Sequence, residues 1–343
     1  MAAGICHPYK RAMPRFDIDH PAVGAGQVFI PGSADSIVAA AHLAATAVWP
    51  AWVTVGREHR LPHLLEKPIT EAAAEIWCLG YSGTGNALVS AALEAHVTHR
   101  PVRWLSTTTG RLRLEAAELA GIRLESMPGG SLVNLVLRDR RGRWTPNDHA
   151  AERLGYILGR YPGWRPTRRE LSVANLLHAA SVAVRNHEGR GAPLIRVLAD
   201  TPVPDWSNVE SLRTLAETGE DTIRNGRQAL LKEKPEHGSP TGGPALWVVP
   251  QGLIKRGVHG KAVAAAGWRR KSPVALLESA DRGFTKAWVV LPARRENLWL
   301  RVAECFGAFT SDFSWTGRRG AGAIHSTDVE KLLPRLWTVI RSR

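Results

Sequence analysis

The sequence predicts an α/β protein of two domains joined by helices, and three observations carry this prediction. Short apolar runs alternate with helical periodicity in the first half of the chain and again near its end, which is the pattern of βαβ units. Between these regions, residues 151–233 show helical patterns without strand patterns. The chain has 343 residues, enough for two domains that each bury a core.

In the first half, four apolar segments are expected to form the strands of a parallel sheet: residues 27–31, 51–55, 76–79 and 102–105. Helices are expected between them, at residues 35–48 with Ser33 or Asp35 as the cap, and at 86–96 and 112–120. Parallel sheets place their chemistry in the loops that follow the strands. Here those loops are residues 32–36, 56–59, 80–86 and 106–110.

The rest of the chain is expected to hold a helical connector and a smaller α/β domain. Amphipathic helices are predicted at residues 170–185 and 210–232, before a segment (KPEHGSPTGG, 234–243) without apolar residues that is typical of a linker. After it, we predict strands at 245–249, 274–278, 285–291 and 298–302, helices at 258–267 and 328–340, and a glycine-rich turn at 316–322. The predicted division is an extension (1–26), an α/β domain (27–150), a connector (151–233), a linker (234–244) and a second α/β domain (245–343).

Composition limits the function classes. The chain has 45 Lys and Arg against 31 Asp and Glu, a formal net charge of +14, which favours a polyanionic partner. Its three cysteines, Cys6, Cys78 and Cys305, are too far apart for a disulfide scaffold or a clustered zinc site. No apolar run reaches the ~18 residues of a membrane span, and no signal-like apolar region follows the start. We therefore expect no membrane association and a cytoplasmic location.

Basic residues are concentrated in the predicted C-terminal domain. Arg318 and Arg319 lie in the glycine-rich segment, where guanidinium and backbone N–H groups can approach a phosphate together. Lys255 and Arg256 form another pair. The sequence therefore predicts phosphate or nucleic-acid contacts in this domain.

Several segments also follow one another in the order of a known family. FIPGSADSIVA (29–39) is similar to the motif F-N-G-D-A-D-G-I-C-A, VTVGRE (53–58) to T-G-x-x-R-D, and WCLG (77–80) to a strand that ends in V-L-D. VRWLSTT (102–108) occupies the place of a strand followed by D-H-H. In this order and apolar pattern, the chain resembles the DHH phosphoesterase superfamily, in the branch that joins a DHH domain to a C-terminal DHHA1 domain.

The C-terminal part extends the resemblance. WVVP (247–250), LWLR (298–301) and TGRRGAGA (316–323) resemble the DHHA1 strand pattern, its S-x-R motif and its G-G-(H/R)-x-x-A-A-G loop. The resemblance implies that Arg301 and Arg318 contact the phosphate backbone or the scissile group. It also implies an N-terminal DHH-like parallel-sheet domain and a smaller DHHA1-like domain.

The family's metal ligands are mostly missing. In the family, the motif aspartates and histidines hold two Mn²⁺ or Mg²⁺ ions. In this chain, the residues at the corresponding positions are Ser33, Asp35, Gly80, Ser106, Thr107 and Thr108. One carboxylate would not hold two divalent ions, and neutral hydroxyls are poor primary ligands for hard cations. We therefore expect no metal cofactor, with Asp35 as the remnant of the site.

Three functional hypotheses remain open. The first is a catalytically inactive DHH-like protein that binds nucleic acid, with single strands as the expected form, or another phosphate polymer through Arg301, Arg318, Arg319, Lys255 and Arg256. The second is an active Mn²⁺- or Mg²⁺-dependent phosphodiesterase with a rebuilt site composed of Asp17, Asp19, His20, Asp35 and His59. The third is a protein-binding subunit of a larger complex.

Overall fold

The computed structural model describes most of the chain: residues 25–47, 51–56, 60–65, 73–81, 91, 102–107, 122–126, 131–138, 144–158, 165–255, 258–280, 283–310, 313–316 and 318–342. It forms two compact units, Met1–Thr218 and Gly219–Arg343. The boundary falls inside one long helix, Glu210–Lys232, whose second half belongs to the second unit and places Gly226 beside Val258. In the described ranges, no helix is long and apolar enough to cross a membrane.

The first unit contains a five-stranded parallel sheet in the order β2-β1-β3-β4-β5. Its strands are β1 (Ala25–Ile30), β2 (Ala51–Val55), β3 (Ala73–Leu79), β4 (Val102–Ser106) and β5 (Ile122–Ser126). The first four confirm the predicted strands. The fifth was not predicted, because Arg123 and Glu125 interrupt its apolar run and only pairing with β4 makes it a strand.

Helices of the first unit follow the strands and continue to the unit boundary at Thr218. Those described in full are α1 (Ala34–Thr46), α2 (Leu61–Leu65), α3 (Leu132–Arg138), α4 (Pro146–Leu158), α5 (Arg168–Asn186), α6 (Gly191–Ala199) and α7 (Glu210–Lys232). The helix predicted at 112–120 lies outside the described residues, as does the one at 86–96 except for Ala91.

Both faces of the parallel sheet are buried. Val28 and Ile30 of β1 face a core built with α1, whereas Phe29 faces a second core that includes Leu61 of α2 and Trp104 of β4. Side chains alternate between the faces of a strand, so a strand covered on both sides is apolar at every position. This explains why the continuous apolar runs predicted the strands correctly.

A buried contact between a histidine and an aspartate joins two helices of the first unit. Nε2 of His42 in α1 lies 3.1 Å from Oδ1 of Asp148 in α4, and each side chain is only 1% exposed. The other oxygen, Oδ2, accepts hydrogen bonds from the backbone N–H of Thr145, at 2.5 Å, and from its hydroxyl, at 2.7 Å. Asp148 therefore holds the start of α4 against α1.

The second unit contains a six-stranded mixed sheet in the order β10-β11-β9-β8-β7-β6. Its strands are β6 (His237–Gly238), β7 (Ala245–Val249), β8 (Val274–Ser279), β9 (Phe284–Val290), β10 (Ser314–Thr316) and β11 (Arg319–His325). Of these pairs, only β7 and β8 run parallel. The described helices are α8 (His259–Arg270), α9 (Trp299–Gly307) and α10 (Val329–Arg341).

The helices cover opposite faces of this sheet. Val302 and Phe306 of α9 and Leu332 and Leu336 of α10 share a core with Ala275, Leu277, Ala287 and Val289. Gly267 of α8 instead lies against Val274 and Val290, which point to the other face because side chains alternate along strands. Helix α8 is therefore separated from α9 and α10 by the sheet.

Two sequence predictions for the second unit are wrong. Residues 298–302 do not form a strand, because Leu298, Val302 and Phe306 recur at helical spacing and are buried together along α9. The predicted turn at 316–322 is mostly strand, since β11 begins at Arg319 and pairs with β9 over its whole length. Backbone pairing with two neighbours overrides the weak strand preference of Gly320 and Gly322.

Candidate functional site

The carboxyl edge of the parallel sheet holds the positions that resemble the family's metal site. Ser33 follows β1 and caps α1: its Oγ accepts a hydrogen bond from the backbone N–H of Ser36, at 3.2 Å, and donates to the Ser36 hydroxyl, at 2.9 Å. Ser106 ends β4 and is buried. The Ser33 hydroxyl is thus used within the local structure, as expected of an N-terminal cap.

Asp35, the one acidic residue at these positions, is bound to another helix. Its Oδ1 accepts a hydrogen bond from the hydroxyl of Ser131, at 2.7 Å, and its Oδ2 accepts one from the backbone N–H of Leu132, at 2.8 Å. Both donors belong to the start of α3. The carboxylate thus satisfies N–H and O–H groups that the beginning of a helix would otherwise leave without partners.

At Gly80, the position that corresponds to the aspartate of the family's third strand, the same helix leaves no space for a side chain. Gly80 ends β3 with φ +84°, and a Cβ atom at this position would lie 2.8 Å from Cδ1 of Leu132. A carboxylate side chain cannot be accommodated there unless Leu132 moves. Helix α3 therefore occupies the space in which a second acidic ligand would lie.

Burial changes the titration of Asp35. Removal of the carboxyl group from water raises its pKa from 3.8 to about 6, although the hydrogen bonds from Leu132, Ser131 and Val133 act in the opposite direction. The carboxylate is therefore costly to hold in its charged form at neutral pH. A group in this environment stabilises the start of α3 rather than attracting a cation from solvent.

A positive charge also lies beside the first of these loops. Nε of Arg185, at the end of α5, donates a hydrogen bond to the carbonyl oxygen of Gly32, at 3.4 Å. Burial lowers the pKa of this guanidinium below its ordinary value. A guanidinium next to Ser33 makes the edge of the sheet electropositive, which opposes the binding of a divalent cation.

The residues at this edge do not fit the two metal ions that the family resemblance implies. Within the described ranges, no three His, Cys, Asp or Glu side chains come together in a cluster that could hold a metal. Thr107 is described at the end of β4, but Thr108, Asp17, Asp19, His20 and His59 lie outside the described residues. The rebuilt site of the second hypothesis can therefore be tested only by experiment.

The basic residues predicted to bind phosphate do not form one cluster. Arg318 and Arg319 lie together between β10 and β11, with Arg318 exposed. Arg301 is on α9, where its Nη1 donates to the Ser342 hydroxyl, at 3.1 Å, so the strand on which its S-x-R assignment depended is absent. Lys255 lies in the loop between β7 and α8, at the other end of the sheet, and Arg256 is outside the described residues.

An exposed tryptophan, which the sequence did not single out, lies on the same side of the second sheet as Arg319. Arg319 pairs with Val290, and Gly267 of α8 lies over the same residue. The next residue, Trp268, is 71% exposed, more than any other large hydrophobic side chain in the described ranges. Arg269 and Lys271 beside it are also exposed. The signal in the sequence was the segment WRRK (268–271), in which an aromatic residue precedes three basic ones.

Comparisons with known proteins agree with this architecture. No family model matches the chain, and no curated protein matches it by sequence. Among solved structures, it is similar to the exonuclease RecJ from Thermus thermophilus in complex with Mn²⁺ (TM-score 0.58, 15% identity, 94% of this chain and 53% of RecJ). This chain thus spans about half the length of that protein.

Two further structures share the fold over most of both chains. One is a pGpG-specific phosphodiesterase from Vibrio cholerae (TM-score 0.50, 11% identity, 92% of this chain and 98% of that chain). The other is the DHH domain of a member of a ribosomal protein family (TM-score 0.57, 10% identity, 92% and 86%). The chain is therefore a two-unit α/β protein whose structural neighbours are RecJ-like. Its fold is similar to that of RecJ and of the DHH-domain structure.

Proposed function

We propose that this protein binds single-stranded nucleic acid through its second unit and does not hydrolyse phosphodiesters. The observation that carries the proposal is the position of Asp35, whose two carboxylate oxygens are bonded to the start of α3. With Gly80 at the third-strand position and Arg185 beside Gly32, the edge of the sheet is not suited to activating water with metal ions.

Nucleic-acid binding is supported by the chemistry at one end of the second sheet. Arg318 and Arg319 can bind phosphate oxygens by charge-assisted hydrogen bonds. The exposed Trp268 provides a flat apolar surface on which an unpaired base can stack, a contact that duplex DNA does not offer. RecJ is an exonuclease, which is consistent with a nucleic-acid partner for this fold. The net charge of +14 adds a long-range attraction for polyanions.

The first test concerns hydrolysis. Purified protein is incubated with Mn²⁺ or Mg²⁺ and with short single-stranded oligonucleotides or dinucleotides, and the products are separated by chromatography. We expect no products above those of a heat-inactivated sample. Hydrolysis that disappears in Asp35→Ala would contradict the proposal and establish the rebuilt metal site, which Asp17→Ala and His59→Ala would then map.

The second test concerns binding. We expect the double variant Arg318→Ala/Arg319→Ala to bind a fluorescent single-stranded oligonucleotide at least tenfold more weakly. Its plot of log affinity against log salt concentration should be less steep by about 1 to 1.5, because up to two phosphate contacts are lost. Trp268→Ala should weaken binding about tenfold without changing this slope, because stacking releases no counterions.

A charge-matched control is available on the opposite face of the sheet. Lys331→Ala/Arg341→Ala removes two positive charges from α10, where both side chains are exposed, and should leave the affinity within twofold. The binding proposal is wrong if the wild type shows no salt-dependent binding, or if both double variants lose affinity equally. If only Arg301→Ala weakens oligonucleotide binding, the S-x-R assignment made from the family resemblance is supported instead.

A further inference from the structure

A small pocket lies in the second unit, away from Arg318 and Arg319. It has a volume of about 160 Å³ and is lined by Gln251, Gly252, Ile254, His259, Glu278, Ser279, Ala280 and Lys286. Sites for drug-sized ligands are typically ~300–1,000 Å³, so this pocket fits only a small group. The function proposed above assigns no role to any of these residues.

Two buried side chains form the wall of the pocket. Nε2 of His259 lies 2.7 Å from Oε2 of Glu278, and these side chains are 8% and 6% exposed. The other Glu278 oxygen accepts a hydrogen bond from the backbone N–H of Gly252, at 3.2 Å. The His259 ring is stacked on Trp288, with centroids 4.3 Å apart and planes within 5°. The imidazole therefore lies between the Trp288 ring and the Glu278 carboxylate, and Glu278 accepts a hydrogen bond from the Gly252 backbone.

The topology places this pocket where α/β proteins bind ligands. Strands β7 and β8 are parallel and are connected through α8. Gln251 and Gly252 directly follow β7, Glu278 and Ser279 end β8, and His259 begins α8. Loops at the carboxyl ends of parallel strands are the usual ligand sites of such units, and the start of the following helix favours negative charge.

The pocket lies at the opposite end of the sheet from Arg319. Glu278 pairs with Lys286 across β8 and β9, whereas Arg319 pairs with Val290, four residues further along β9. Residues four apart on a strand are separated by ~13 Å. A ligand in the pocket would therefore be independent of a nucleic acid bound at Arg318 and Arg319.

Lys286 is the one lysine or arginine among the described residues that line the pocket, and Glu278 is the one carboxylate. The lysine is exposed at the rim and forms no ion pair with the described carboxylates, including Glu278 across the strand pair. Ser279 and Gln251 add a hydroxyl and an amide. Because Nε2 of His259 lies 2.7 Å from Oε2 of Glu278, Nδ1 is the ring nitrogen left for a ligand. Donors from several elements of the pocket suit the tetrahedral oxygens of a phosphate better than the two oxygens of a carboxylate.

We propose that this pocket binds a phosphate group, either as inorganic phosphate or as the phosphate of a mononucleotide, with Lys286, Ser279 and His259 as its partners. The proposal goes beyond the function proposed above and does not depend on it. The Glu278 carboxylate orients the imidazole and is a positioning residue.

The test is calorimetric titration of the full chain with inorganic phosphate, adenosine 5′-monophosphate and adenosine. We expect wild type to bind at least one of the two phosphates, and Lys286→Met to weaken that binding about tenfold. Lys331→Met, which removes an exposed lysine from α10, should bind as wild type does. Preference for adenosine 5′-monophosphate over phosphate identifies a mononucleotide as the source of the group, whereas equal binding identifies free phosphate.

Three results would overturn the proposal: wild type that binds neither phosphate, adenosine that binds as tightly as its monophosphate, or an affinity unchanged in Lys286→Met. Because Lys286 is exposed, its variant is expected to fold, and circular dichroism checks this. His259→Gln provides an independent variant in the wall of the pocket and should also weaken binding. Arg318→Ala/Arg319→Ala should leave phosphate binding intact, so failure of this proposal is distinguishable from failure of nucleic-acid binding.

Discussion

Asp35→Asn is expected to gain stability relative to the wild type as the pH rises from 4 to 7.5, by about 2.5 kcal/mol in the free energy of unfolding. Burial raises the pKa of Asp35 to about 6, above its value of 3.8 in the unfolded chain. Between these values, the folded protein holds a proton that the unfolded chain has lost. The wild type therefore loses stability as the pH rises through this window, whereas asparagine does not titrate.

The measurement is urea denaturation of both proteins at pH 4, 5, 6 and 7.5. Asparagine keeps an oxygen that can accept the hydrogen bond from Leu132 N–H and offers an amide N–H to the Ser131 oxygen, so the variant should fold. Asp200→Asn, an exposed acidic residue in the same unit, should show no pH-dependent difference. A constant difference between Asp35→Asn and the wild type would show that Asp35 is not buried as described. Stabilisation of the wild type alone by Mn²⁺ at pH 7.5 would make Asp35 a metal ligand.

Asp148→Ala is expected to destabilise the protein by about 3–5 kcal/mol, because it leaves His42 buried without its carboxylate and removes the cap at the start of α4. Removing one partner of a buried pair lowers the free energy of unfolding much more than removing one partner of an exposed pair. The matched control is Asp205→Ala, which removes the exposed pair between Asp205 and Arg169 and should cost less than about 1 kcal/mol.

Urea denaturation followed by circular dichroism measures both variants. If Asp148→Ala does not fold, Asp148→Asn provides the comparison, since it keeps an oxygen that can accept the hydrogen bond from Thr145. A double-mutant cycle with His42→Leu then isolates the energy of the pair. The double variant should lose less free energy of unfolding than the two single variants lose together. If Asp148→Ala destabilises the protein by less than about 1 kcal/mol, as the loss of an exposed pair would, the stabilising role of the His42–Asp148 contact is contradicted.

The elements that the sequence predicted correctly are those set by local periodicity. Strands β1 to β4 were readable because both faces of the sheet are buried and each strand is mostly apolar. Helix α7 was predicted at its observed bounds, Glu210–Lys232, from its amphipathic spacing. Segment 298–302 was predicted wrongly because a short apolar run fits a strand as well as a buried helix, and only contacts with α10 and the sheet decide between them.

The candidate site was predicted only in part. The absence of most metal ligands was visible in the residue types at Ser33, Gly80, Ser106 and Thr107. The partner of Asp35 was not visible, because Ser131 is 96 positions away along the chain. In the second unit, the sequence showed many basic residues. That they lie at three separate places, with Arg318 beside Arg319, Arg301 on α9 and Lys255 after β7, follows only from the fold.

By itself, the sequence determined the alternation of strands and helices, the resemblance to the DHH superfamily and the loss of its acidic residues, because these depend on residue type and short-range spacing. Only the tertiary structure decided that Asp35 caps α3, that Trp268 lies near Arg319 and that His259 meets Glu278. Such contacts join residues whose spacing along the chain carries no signal. They form because packing brings their elements together, and in the buried cases because polar groups removed from water require partners.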